Sequence, residues 1–182
     1  MSGLRLVLVR HAKTERVGPP GQGDHGRRLT ERGVADARAA GRWLLEAGLK
    51  PDLVVCSTAT RARQTWQAMA GAIGDDRTPG LAEVETWQEP RAYLATTEDL
   101  LAVLAEVPDG VRCLALVGHS PGIPDLADLL SDGPRADPEA AAALQDGFPT
   151  MTSAVLLASV PAERVGPGTM TLSAVHTGRG ER

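Results

Sequence analysis

The stretch LRLVLVRH, residues 4–11, is an apolar run that stops on an arginine and a histidine. Its length and its aliphatic, β-branched content are typical of a buried strand. A second run, CLALVGHS at residues 113–120, repeats this arrangement and ends on another histidine. In open α/β sheets, ligands bind at the carboxyl ends of the strands. We therefore expect Arg10, His11 and His119 to meet at one binding edge.

The composition indicates an ordinary globular protein. The chain has 182 residues, of which 42% are hydrophobic and 23% charged, and its formal net charge is −4. We expect a single domain over residues 1–182. Because the acidic balance lacks the basic field that nucleic acids require, no nucleic-acid partner is expected. No apolar run is long enough to span a bilayer, and the first strand leaves no room for a signal peptide. These features predict a cytoplasmic location without membrane association.

Strand-like and helical segments alternate along the chain, which predicts an α/β fold. The expected architecture is a three-layer α/β/α sandwich with a mostly parallel central sheet. Residues 15–28, rich in glycine, proline and charge, are expected to be a surface loop forming one wall of the site. Strands are predicted at 4–11, 52–56, 81–85, 113–117, 153–160 and 169–175, and helices at 31–47, 59–74, 98–107, 121–130 and 138–145.

The two cysteines are expected to have a structural role only. Cys56 and Cys113 both fall inside apolar strand-like runs. This placement favours buried thiols over a disulfide or a metal site.

The residue types expected at the binding edge suit phosphoryl transfer. A phosphoryl group carries negative charge on its oxygens, which arginine holds in a planar fork. Arg10 beside His11 places such a cation next to an imidazole that is a competent nucleophile near pH 7. Arg61, in the first turn of the helix after the second strand, adds another cation, and His119 can donate a hydrogen bond. We therefore expect these four residues to form the catalytic group.

Four sequence elements resemble the histidine phosphatase superfamily, which includes the cofactor-dependent phosphoglycerate mutases. Each lies at a strand–helix junction, and the resemblance covers residues 4–160 or so. It implies that His11 becomes phosphohistidine, that Arg10 and Arg61 clamp the phosphoryl oxygens, and that His119 completes the pocket. It also implies that no metal or other cofactor is needed. The four elements are Val9-Arg10-His11-Ala12-Lys13-Thr14, Leu29-Thr30-Glu31-Arg32-Gly33, Ser57-Thr58-Ala59-Thr60-Arg61-Ala62-Arg63-Gln64-Thr65 and Val117-Gly118-His119-Ser120-Pro121-Gly122.

Within that superfamily the chain resembles the small SixA-type phosphohistidine phosphatases. The segments Asp24-His25-Gly26-Arg27-Arg28-Leu29-Thr30 and Phe148-Pro149-Thr150-Met151-Thr152-Ser153-Ala154 carry this resemblance. The chain is also too short to hold the lid insertions of the mutases. The resemblance implies a phosphatase acting on protein phosphohistidine, and it implies that Arg28 lies near the phosphate.

Three further residues are candidate substrate contacts: Thr14, Ser57 and Ser120. Each has a simpler interpretation, because a loop threonine usually bonds local backbone and a serine after a strand often caps the next helix. Both interpretations of these residues stay open.

The sequence offers no clear general acid. Larger relatives carry an acidic residue shortly after the third strand, and the corresponding stretch here holds Glu83, Glu85 and Glu89 without a recognisable motif. A phosphohistidine substrate has a nitrogen leaving group that is protonated more readily than an alkoxide, so it depends less on such an acid.

Three alternative functions stay open. The first is a mutase or a broad-specificity phosphomonoesterase acting on small phosphate esters, so that the partner is either a phosphoprotein or a small phosphorylated metabolite. The second is an inactive domain that binds phosphate or phosphoproteins. The third is a metallohydrolase that uses several of the four histidines.

Overall fold

A six-stranded sheet lies at the centre of the computed structural model, which describes residues 3–71, 83–158, 160 and 162–181. The strands are β1 (Arg5–Arg10), β2 (Leu53–Ser57), β3 (Glu85–Glu89), β4 (Cys113–Gly118), β5 (Thr152–Leu157) and β6 (Thr171–Thr177). Their order in the sheet is β3-β2-β4-β1-β5-β6. The first four strands in that order are parallel, whereas β5 pairs antiparallel with both β1 and β6. The sheet is therefore mostly parallel.

Helices cover both faces of the sheet, in agreement with the expected α/β/α sandwich. They are α1 (Glu31–Glu46), α2 (Thr60–Ala70), α3 (Thr97–Ala105), α4 (Gly122–Leu130) and α5 (Pro138–Asp146). Alternate β1 residues point to opposite faces, as the pleat requires. Val7 and Val9 pack with α1 and α2, whereas Leu6 and Leu8 pack with α3 and α4. Both cysteines are buried and free.

The third strand is the one element whose predicted position was wrong. It occupies Glu85–Glu89 instead of 81–85, of which residues 81–82 lie outside the described residues. The strand sits at the edge of the sheet and reads Glu-Thr-Trp-Gln-Glu, so it lacks the apolar run that marks a buried strand. α2 ends at Ala70, and residues 72–74 of the predicted helix 59–74 lie outside the described residues.

The register of the sheet brings the ends of the parallel strands together. Arg10 pairs with Gly118, and Cys56 pairs with Val117. The carboxyl ends of β1, β2 and β4 therefore lie side by side at one edge of the sheet, where the sequence predicts the site. Among the residues that the structure describes, no helix combines the length and apolarity needed to cross a bilayer.

The start of α1 is packed directly onto the chain just after His11. Thr30 caps this helix by accepting a hydrogen bond from the Gly33 N–H, and its own N–H donates to the Lys13 carbonyl at 3.0 Å. A Cβ atom on Gly33 would lie 2.1 Å from the Lys13 carbonyl oxygen. Glycine is thus required here because the backbone of α1 lies in direct contact with the backbone of the segment after β1.

We predict that Gly33→Ala lowers the free energy of unfolding by about 1–3 kcal/mol, because the backbone of Lys13 must shift to admit the methyl group. The matched control is Gly110→Ala, where an added Cβ has no neighbour within 4 Å. Urea denaturation of both variants checks the prediction. Equal stability of the two variants would show that the Gly33–Lys13 approach does not constrain the fold.

Candidate active site

The backbone of His11 is held by two neighbouring chain segments. Its N–H donates to the Gly118 carbonyl at the end of β4, and its carbonyl accepts from the Met151 N–H, both at 3.1 Å. The first bond continues the β1–β4 ladder by one residue beyond Arg10. His11 therefore projects from a fixed position at the end of the central strand.

A backbone hydrogen bond fixes the tautomer of His11. Its Nδ1 lies 2.8 Å from the Ala12 carbonyl oxygen, and because a carbonyl only accepts, Nδ1 carries the proton. Burial lowers the pKa of His11 to about 4. The charges of Arg61, Arg10 and Arg27 act in the same direction. Near pH 7 the ring is thus neutral and presents the Nε2 lone pair of a nucleophile.

The second histidine is oriented by a serine. Ser57 Oγ accepts from the Ala59 N–H at 3.3 Å and lies 2.8 Å from His119 Nε2. The Ser57 hydroxyl can donate its proton to Nε2, and in that arrangement the ring proton of His119 is on Nδ1. That Nδ1 is buried and has no hydrogen-bond partner among the described residues. Burial lowers the pKa of His119 to about 3, and its ring centroid lies 5.2 Å from that of His11.

Arg61 is buried at the first turn of α2 and is anchored at its outer nitrogens. Its two terminal nitrogens donate to the Asp24 backbone carbonyl at 2.7 Å and to the Asp24 carboxylate at 2.9 Å. The Thr65 hydroxyl donates to the Arg61 carbonyl and accepts from the Ala12 N–H. The turn that carries Arg61 is therefore bonded to the residue after His11.

Arg10 is anchored in a similar way. One terminal nitrogen donates to the Phe148 carbonyl at 2.5 Å, and burial lowers the pKa of the guanidinium. Phe148 belongs to the segment ahead of β5, which also supplies the Met151 bond to His11. One loop thus holds both members of the Arg-His pair.

Each of the four expected catalytic side chains is therefore fixed through one or two of its nitrogens and leaves another without a partner. Burying a polar group without a partner costs about 1–3 kcal/mol, so a cluster of such groups indicates a ligand site. The N–H groups of two guanidinium groups and one imidazole can bind the oxygens of an anion. The lone pair of the other imidazole, that of His11, can attack the central atom of that anion. Within the described part of the chain, the buried polar side-chain atoms without a hydrogen-bond partner are Arg10 Nε, Arg61 Nε, His119 Nδ1 and, on β5, Ser153 Oγ. His11 is bonded through Nδ1, which leaves its Nε2 as the free ring nitrogen.

Asp24 was not predicted as a site residue. Its carboxylate accepts hydrogen bonds from Arg61, from Arg27 at 3.0 Å and from the Tyr93 hydroxyl at 2.8 Å. Burial acts to raise the pKa of Asp24, but hydrogen bonds from Arg27 and Tyr93 and the charge of Arg61 hold it at about 2. The loop at 15–28, expected as one wall of the site, thus supplies a permanently ionised carboxylate.

An aromatic group also borders the site. The Tyr93 ring meets the His119 ring edge-on at a centroid distance of 5.4 Å, and the Arg61 guanidinium carbon lies 5.6 Å from its centre. His25, which the sequence left without a partner, packs edge-on against Tyr93 at 4.9 Å. Its Nε2 lies 3.0 Å from the Thr58 hydroxyl.

Arg27, and not the expected Arg28, contacts the site. Arg27 donates to the Thr14 hydroxyl at 2.6 Å, whereas Arg28 is exposed. The cause is the antiparallel bridge between Thr14 and Leu29, with which residues 27 and 29 turn inwards and residue 28 turns outwards. The prediction thus chose the neighbour of the arginine that contacts the site: it named Arg28, and the contact is made by Arg27.

The three candidate contacts have different surroundings. Thr14 binds Arg27, and Ser57 holds His119. Ser120 is half-buried at the turn that leads into α4.

Of the three candidate acids, Glu89 alone lies at the carboxyl end of the sheet, where it pairs with Ser57. Glu83 is exposed ahead of β3, and Glu85, which binds the Trp87 indole, lies at the opposite edge of the sheet. Glu89 is the last residue of β3, but its carboxylate lies 2.7 Å from a terminal nitrogen of Arg91, and hydrogen bonding to Arg91 lowers its pKa. A general-acid role for any of the three therefore stays a prediction.

Comparisons with known proteins agree with this geometry. The sequence model of the histidine phosphatase superfamily (branch 1) matches residues 6–100. The uncharacterized protein Rv1276c of Mycobacterium tuberculosis is 36% identical over 171 residues, which is 94% of this chain and 100% of that protein. The structure of a candidate phosphohistidine phosphatase SixA from Nakamurella multipartitia has a TM-score of 0.80 and 31% identity, covering 98% of each chain. A candidate SixA structure from Agrobacterium tumefaciens has a TM-score of 0.70 and 32% identity, covering 86% of this chain and 92% of its own.

We predict that the protein loses stability as the pH falls from about 6.5 towards about 4, because the unfolded chain protonates His11 and His119 while the fold resists protonation. Well above pH 6.5 both histidines are neutral in the folded and in the unfolded chain, so this contribution to stability is fully present. Urea unfolding between about pH 7.5 and about pH 5.5 is expected to show a loss of about 1 kcal/mol for each histidine. His11→Asn is expected to remove about half of the slope, and an unchanged slope would contradict the assignment.

Proposed function

Because the chain belongs to the histidine phosphatase superfamily, we propose that it removes phosphate from protein phosphohistidine through a phosphohistidine intermediate on His11. Membership supports a phosphatase or a mutase. The finer proposal is carried by one observation, the four unpaired nitrogens at the carboxyl edge of the sheet.

In the first step, the His11 Nε2 lone pair attacks phosphorus and forms a P–N bond. Arg10 Nε and Arg61 Nε donate to the phosphoryl oxygens, and His119 Nδ1 donates a further hydrogen bond. The substrate ring is protonated by solvent on its other nitrogen, and when its P–N bond breaks the electron pair of that bond stays on the leaving neutral imidazole. In the second step, water attacks phosphorus, and the bond to Nε2 breaks to release inorganic phosphate and the neutral His11 ring.

The ionised state of Asp24 favours a nitrogen leaving group. A carboxyl group with a pKa of about 2 has no proton to give near pH 7, so it is a poor general acid for an alkoxide. An imidazole departs without that assistance. Asp24 instead holds Arg61 in place.

The similar structures support the same substrate class. The two SixA structures, at 31% and 32% identity, are described as candidate phosphohistidine phosphatases. An inactive binding domain needs cations but no nucleophile, whereas His11 is buried, neutral and held in the tautomer that leaves Nε2 free.

We predict that His11→Asn lowers turnover by at least about 1,000-fold, because no other group replaces the nucleophile. Incubation with a ³²P-phosphohistidine peptide, quenched in alkali to preserve phosphohistidine, is expected to label the peptide that contains His11. The control is His176→Asn, which alters a histidine stacked on Trp43 and is expected to keep both label and turnover. Label on another residue, or full turnover in His11→Asn, would overturn the proposal.

We also predict a strong dependence on the leaving group. The kcat/KM for a phosphohistidine peptide is expected to exceed that for a phosphoserine peptide of the same sequence by at least about 100-fold, because no protonated acid faces the alkoxide. Steady-state kinetics with the two peptides measure this ratio. Similar values for both peptides would favour the phosphomonoesterase alternative.

A further inference from the structure

A basic surface begins beside the phosphate site and continues along α1. It consists of Lys13, Arg27, Arg32, Arg38, Arg42 and Arg179 and is called the α1 basic surface below. Its inner part borders a depression of about 540 Å³, and its outer part borders one of about 380 Å³. Arg179 lines both depressions, so the surface is continuous.

The charge of this surface is only partly neutralised. Its depressions also contain two acidic residues, Asp36 and Glu181, against six basic ones. Asp36 is buried, accepts from Arg32 at 2.8 Å and from the Gly180 N–H at 3.0 Å, and lies 3.8 Å from Arg179. The surface therefore keeps a net positive charge although the whole chain has a net charge of −4.

The outer part of the surface carries two exposed arginines without an ion pair in the described part of the chain. Arg38 and Arg42 are four residues apart and thus project from neighbouring turns of α1. Like charges at this spacing repel each other weakly, so the pair gains from an anionic partner.

The inner part of the surface reaches the reactive centre. Arg27 lines the larger depression, binds Thr14 and Asp24, and helps to lower the pKa of His11. A partner bound on the α1 basic surface would therefore extend to the mouth of the phosphate site.

We propose that the α1 basic surface docks an acidic segment of the phosphoprotein substrate, which places the phosphohistidine at His11. This inference rests on the proposed function. The surface spans ten residues of α1 between Arg32 and Arg42, about 15 Å, which is longer than a small metabolite. A nucleic acid that continued past the surface would meet the acidic remainder of the chain, which favours a short acidic protein segment.

Kinetics with two synthetic phosphohistidine peptides test the proposal. In one peptide the phosphohistidine is flanked on both sides by glutamates, and in the other by glutamines. The wild-type kcat/KM is expected to be about tenfold higher for the glutamate peptide at about 50 mM salt, and the preference is expected to vanish at about 500 mM.

The charge-reversal variant is Arg38→Glu with Arg42→Glu, which leaves the residues around His11 intact. It is expected to lose the preference for the glutamate peptide while hydrolysing p-nitrophenyl phosphate at the wild-type rate. The matched control is Arg135→Glu with Arg164→Glu, because both side chains are more than two-thirds exposed and lie outside the surface. The control is expected to keep the preference, and a preference that survives in the charge-reversal variant would overturn the proposal.

A binding measurement separates failure of docking from failure of the proposed function. A fluorescein-labelled, unphosphorylated peptide of about ten glutamates is expected to bind the wild type at low salt and to bind the charge-reversal variant about tenfold more weakly. This result would support docking even if no phosphohistidine peptide were hydrolysed. Equal binding to both proteins, or tighter binding of a single-stranded oligonucleotide of the same length, would overturn it.

Discussion

The hydrogen bond from His11 Nδ1 to the Ala12 carbonyl is the contact on which the rest of the site depends, because it decides which imidazole nitrogen is free. The N–H of Ala12 donates to the hydroxyl of Thr65, which donates in turn to the carbonyl of Arg61. Ala12, whose carbonyl sets the tautomer of His11, is thus bonded through its N–H to the helical turn that carries Arg61. One connected set of hydrogen bonds therefore positions both the nucleophile and a cation for the group that it attacks.

The charges of the site are divided so that the nucleophile stays neutral. Burial and neighbouring cations disfavour protonation of His11 and His119, whereas the guanidinium groups of Arg10 and Arg61 keep their charge at any physiological pH. Positive charge is therefore fixed where phosphoryl oxygens would lie, and a lone pair is kept where phosphorus would be attacked. Burying these nitrogens without partners is costly, and a bound phosphate would offset that cost.

Sequence patterns predicted the strands with long apolar runs and the residues at their ends, because burial on both faces of the sheet leaves a continuous apolar signal. They failed for β3, which is an edge strand and therefore polar. They placed Arg28 instead of Arg27 near the site, since the pairing of Thr14 with Leu29 determines which side chains turn inwards. Asp24 and Tyr93 were missed because their contact joins residues 69 positions apart, and no local spacing encodes it.

The phosphate pocket and the α1 basic surface divide recognition between a site for the phosphoryl group and a site for its surroundings. The pocket is the part on which the whole account depends, and a crystal structure with bound tungstate tests it most directly. We expect the tungstate oxygens within about 3.2 Å of Arg10 Nε, Arg61 Nε and His119 Nδ1, with tungsten facing His11 Nε2. Tungstate bound elsewhere, or these nitrogens too far apart to contact one tetrahedral anion, would contradict the account.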